Sequence, residues 1–158
     1  MPHQRASSTS AECALLAAKI STYCREVARS QNVPEHLPGL AAYAEELSAA
    51  SERQTLRAMS REVDVWLRQA HRPPAALLIL AAMRTAGVSG QLLPVLPAAR
   101  SLRIIASRGE VRSSAEATLV NSVLANPQLC GLLAAHLPVL SAAAHRWQAR
   151  RKGSVSRG

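Results

Sequence analysis

Five histidines, His3, His36, His71, His136 and His145, mark where metal or acid–base chemistry would be sought first. None pairs with another at the i, i+4 spacing that lets one helix face offer two imidazoles to zinc, and no carboxylate is suitably placed between any two of them. Three cysteines, Cys13, Cys24 and Cys130, form neither a CxxC pair nor an even disulfide framework, so reduced, buried thiols are expected. Cys130 with His136 or His145 supplies the types needed for a thiol nucleophile and its base, but no acid is near to orient the imidazole and the cysteine stands in a Leu-rich stretch. Glu45 and Glu46 are adjacent, hence about 100° apart on a helix, which is wrong for paired acid and base work. No G-x-G-x-x-G, G-x-x-x-x-G-K or G-x-S-x-G pattern occurs. The expectation is a protein without catalytic residues, cofactor or bound metal.

Charge departs furthest from the ordinary. The net formal charge is +9, of which residues 1–79 contribute +1 and residues 80–158 contribute +8. Arg100, Arg103, Arg108 and Arg112 gather around one expected helix end, and Arg146, Arg150, Arg151 and Lys152 around another. These eight are the candidate partner-binding or polyanion-binding residues, since a basic field attracts nucleic acid, an anionic surface or an acidic protein alike. The competing reading is solubility together with complementing helix dipoles. Residues 98–125 have the helix, glycine turn, helix layout of a helix-turn-helix, but 114–125 offers only Asn121 to base edges. Trp147 is the sole aromatic of the basic half, which leaves no stacking platform for single strands.

The elements that would position these residues are helical. The 158 residues include 30 Ala and 21 Leu and no Phe, a balance that favours helix over sheet and requires an aliphatic core. The least polar run is 73–87: Pro73 and Pro74 suit a first helical turn, Gly87 suits the left-handed position after a helix end, and 75–83 carries no polar side chain. It is too short for the roughly 20 apolar residues of a membrane span, so a buried central helix is predicted. Capping boxes predict helix starts at Thr9, Ser51 and Ser113, each followed three residues later by Glu or Gln, and Asn126 is a further candidate cap. Between these marks Cys13, Leu16, Ile20, Tyr23 and Val27, then Leu56, Met59, Val63, Trp66, Leu67 and Ala70, recur at spacings of three and four, with Lys19 and Asp64 expected on outward faces. Val88 to Pro97 is expected to hold one short turn. Three similar stretches, Leu37 to Leu40, Leu93 to Leu96 and Leu137 to Leu140, read Leu-Pro-x-Leu and raise a degenerate helical repeat as a minor reading.

The sequence therefore predicts an all-α, single-domain bundle of six to eight helices around the 73–87 helix. A flexible leader is expected over 1–8, the helical domain over 9–152 and a flexible tail over 153–158. By elimination, and from the long apolar stripes, the expected function is a non-enzymatic protein-interaction module, as adaptor, regulator or chaperone-like domain. Its partner would be another protein or a second copy of the chain; the alternative is an Arg-driven nucleic-acid binder with little sequence preference. The polar N-terminus lacks a signal-peptide pattern, which points to the cytoplasm and is equally compatible with export that uses no such signal.

Overall fold

A computed structural model describes residues 3–29, 37–70, 73–129 and 133–155. These residues form seven α-helices: α1 (His3–Arg29), α2 (Leu37–Ala49), α3 (Arg53–Arg68), α4 (Pro73–Thr85), α5 (Pro97–Arg108), α6 (Ser114–Leu124) and α7 (Leu137–Val155). Two single 3-10 turns, Gly90–Leu92 and Pro127–Leu129, complete them, and no strand occurs among the described residues. The all-helical class and the helix number agree with the sequence. Among the described residues, no helix is long and apolar enough to cross a membrane. Cys130, His36 and His71, and the turn into the expected helix around Leu132, lie outside the described residues.

The chain packs as two compact units. In the first, which covers residues 1–70 and 82–94, α1 packs chiefly against α2 and also against α3. Cys13, Leu16, Ala17, Ile20 and Cys24 of α1, Ala44 and Leu47 of α2, and Leu56, Val63 and Leu67 of α3 are its buried core. In the second unit, residues 71–81 and 95–158, α6 and α5 pack against α7 through Leu102, Ile105, Val111, Val120, Val123, Leu140 and Ala143, all buried. The apolar helix α4 contributes to both units rather than acting as a hub for one. It buries Ala76, Leu77, Leu80 and Met83, while Leu78 and Ile79 stay partly exposed and Ala75 is exposed.

Helix ends test the local reading most closely. After α4, Gly87 adopts φ 84°, the Gly87 N–H donates to the Arg84 carbonyl and the Val88 N–H to that of Met83, both at 3.0 Å. This is the paired C-terminal motif for which glycine was expected. α2 ends by the same bonds, from Ser51 to Ser48 at 3.1 Å and from Glu52 to Leu47 at 2.9 Å, with Ser51 held at φ 60°. Ser51 is therefore a helix stop, not the expected cap, and Glu52 precedes α3 without a side-chain cap bond. Thr9 lies inside α1, which starts at His3, and Asn126 donates its Nδ2 back to the Ser122 carbonyl at 2.7 Å instead of capping forward. α7 runs to Val155, past the expected end at Lys152. The Leu-Pro-x-Leu stretches are not equivalent either: the first and third open α2 and α7, whereas Leu96 is extended at φ −81°, ψ 144° before α5.

Candidate interaction surface

The second unit carries seven of the eight candidate cations on two helices, α5 and α7, and the eighth, Arg112, in the connection from α5 to α6. Pro97 in its first turn starts α5, and Gly109 stops it at φ 69°, with its N–H donating to the Ile105 carbonyl at 2.8 Å. A side chain at that φ would be strained, while space is ample, since a Cβ there would meet only Arg146 Nη2 at 4.0 Å. Val111 is fully buried and anchors the turn. Ser113 then caps α6, its Oγ accepting from the Glu116 N–H at 3.1 Å, as the sequence predicts. The reciprocal half of the box is shifted by one residue: Glu116 Oε2 accepts from the Arg112 N–H at 2.7 Å rather than from that of Ser113.

Four of the eight cations are held by this turn. Arg108 donates from Nη2 to Glu116 Oε2 at 2.6 Å and to the Glu110 carbonyl at 2.8 Å. Arg112 Nε lies 3.4 Å from Glu110 Oε2. From α7, Arg146 Nη2 donates to the Gly109 carbonyl at 2.6 Å, and Arg150 donates to Glu110 Oε1 at 2.7 Å and to the Val111 carbonyl at 3.0 Å. The guanidinium of Arg150 also sits over the Trp147 ring, 5.9 Å from its centroid. Residues 146 and 150 are one helical turn apart, so both guanidinia reach the same loop. Hydrogen bonds from Arg150 and then Arg112 hold the Glu110 carboxyl below the ordinary carboxylate range. For Glu116, desolvation is the largest single influence and acts upward, but the Arg112 N–H and the Arg108 guanidinium together outweigh it, and its pKa is lowered. Glu110, Arg146, Ala149 and Arg150 line an open cleft of about 400 Å³.

The other four, Arg100 and Arg103 on α5 and Arg151 and Lys152 on α7, are exposed and have no ion-pair partner among the described residues. On α5 they neighbour an apolar side chain that the sequence did not single out: Ile104 is 53% exposed. With Ala98, Leu102, Ile105 and Ala106 buried, positions 100, 103, 104 and 107 fall on the opposite face, within an arc of about 100°. The signal was present as an isoleucine out of phase with the helix's own buried stripe. In contrast, the stripes expected to serve as interfaces, Cys13 to Val27 and Leu56 to Ala70, lie largely within the core of the first unit, leaving Trp66 and Ala70 exposed.

The first unit holds a polar cluster that sequence periodicity placed outside. Lys19 is 1% exposed, its Nζ donating to Ser60 Oγ at 2.8 Å and lying 2.6 Å from Asp64 Oδ1. That oxygen is within ion-pair distance but off the direction of a hydrogen bond. α1 packs against both α2 and α3, and its buried residues, Ser21 and Thr22 among them, cover an arc wider than one stripe that takes in Lys19. Glu12, predicted to close a capping box, accepts from Arg57 Nε of α3 at 2.7 Å instead. Trp66 packs on Tyr23 at 5.5 Å between centroids. Burial pushes the Tyr23 hydroxyl and the Cys24 thiol up, so neither is poised as an anionic nucleophile. Among the described residues, no three His, Cys, Asp or Glu side chains group as a metal site.

No protein-family model matches the chain, and no curated protein or solved structure resembles it significantly.

Proposed function

We propose that this protein is a non-enzymatic protein-interaction module, an adaptor or regulator, that docks an acidic surface of its partner on the outward face of α5. The observation that carries this reading is Ile104, half-exposed beside Arg100 and Arg103, neither of which has an ion-pair partner among the described residues. An aliphatic side chain gains nothing from phosphates, which accept hydrogen bonds and charge, but gains by burial at the centre of a protein interface with a charged rim. The nucleic-acid alternative is left with less support, because Arg108, Arg112, Arg146 and Arg150 already serve Glu110, Glu116 and loop carbonyls. A phosphate backbone would have to compete with those bonds.

The test is capture from nuclease-treated native lysate by the whole chain and by Ile104→Asp, with circular dichroism to verify that both fold. Protein capture by the wild type and its loss in the variant are expected, with no duplex binding at low salt. Equal capture by both proteins would refute the α5 face. Duplex binding that weakens with salt at a slope of roughly 0.9 per neutralised phosphate would favour nucleic acid instead.

A further inference from the structure

The chain itself carries a face that complements α5. We infer that the docking partner is a second copy of this protein, presenting α2; this rests on the reading of α5 as the docking face. α2 has no basic residue and two acidic ones, Glu45 and Glu46, neither of which has an ion-pair partner among the described residues. Its buried side is Leu37, Ala44 and Leu47, so Gly39, Ala42, Tyr43 and Glu46 form the outward stripe, with Glu45 at its rim. Tyr43 is 48% exposed, the counterpart of Ile104. α5 has the inverse charge, three arginines and no carboxylate.

Register gives the match its specificity. With Tyr43 set against Ile104 and the helices antiparallel, Glu46, about 4.5 Å further along its axis, lies opposite position 101, between Arg100 and Arg103. A parallel arrangement would instead set Glu46 opposite Ser107 and beside Arg108, whose guanidinium is already bonded to Glu116. Gly39 and Ala42 add no bulk on the α2 side, which allows close approach. Because the two faces are different surfaces of one chain, the contact is heterologous, and assemblies grow by head-to-tail addition unless a ring closes. Two helix faces of this length bury less than the roughly 1,200 Å² of a standard stable interface, so the association should be weak, on the order of micromolar to millimolar.

Sedimentation velocity of the full chain, up to millimolar concentration, tests this with charge-reversed variants. The wild type should grow in mass with concentration, and less so in high salt. Glu45→Arg with Glu46→Arg, and separately Arg100→Glu with Arg103→Glu, should each weaken association by roughly a hundredfold, since like charges then face each other. An equimolar mixture of the two variants should associate again, because each reversed face meets a complementary one. A wild type that stays monomeric, or association that ignores either reversal, would overturn the inference. If the wild type is monomeric while Ile104→Asp still abolishes capture from lysate, the copy-to-copy contact falls and the α5 docking face stands.

Discussion

Lys19 and Arg150 each meet a carboxylate at hydrogen-bonding distance, yet the two pairs do different work. Lys19 is almost wholly buried and joins α1 to α3 through Ser60 and Asp64. Arg150 is 53% exposed and its partner Glu110 is 38% exposed, and together they tie a surface loop to α7. Desolvation separates them: a buried charge that loses its partner is stranded, whereas an exposed one turns to water. The first pair therefore governs whether the first unit folds. The second orients a turn and determines which arginines remain available to a partner.

Breaking the buried pair should have the largest effect. Asp64→Ala leaves Lys19 without its counterion and should cost about 3 kcal/mol in urea denaturation, whereas Lys19→Met with Asp64→Leu should return stability to near or above wild type. A single variant as stable as the wild type would show that Ser60 and water suffice for Lys19. On the exposed side, Ser113→Ala should cost about 1 kcal/mol by removing the cap of α6. Ser51→Gly should stabilise by about 0.5–1 kcal/mol, because glycine relieves the left-handed strain and offsets it only partly by its greater freedom when unfolded. A loss of stability there would contradict the observed φ.

The carboxylates of the turn sharpen the comparison through pH. Both Glu110 and Glu116 have depressed pKa values in the folded protein, so their contribution is complete above the unfolded value of about 4.3 and is lost as pH falls through the folded values. Glu110→Gln with Glu116→Gln should therefore flatten the acid limb of the stability profile below about pH 4.3. High salt should reduce the difference between variant and wild type at neutral pH. An unchanged acid limb would mean that the network does not persist in solution.

These contrasts also explain what was legible in the sequence. Ser113, Gly87 and Gly109 act through neighbours within a few residues, and their roles follow from local chemistry. Ser51 failed as a cap because the end of α2 claimed it first, and Thr9 because α1 begins upstream of it. Lys19 was missed because its burial depends on α3, forty residues away, which no helical periodicity in α1 encodes. The basic half was legible as composition, and all eight candidate cations fall in the second unit. Their division into four engaged by the turn and four with no ion-pair partner among the described residues depends chiefly on Glu110 and Glu116, whose pairing with α5 and α7 is a tertiary fact. Ile104 became visible only once the phase of α5 was fixed.

The docking face of α5 is tested most directly by a photo-crosslinking amino acid placed at position 104, with the same group at exposed Gln128 as the control, irradiated in native extract. A protein adduct at 104 that is absent at 128 and is lost with Arg100→Glu and Arg103→Glu is the expected result. Nucleic-acid adducts at 104, or equal labelling at both positions, would contradict it.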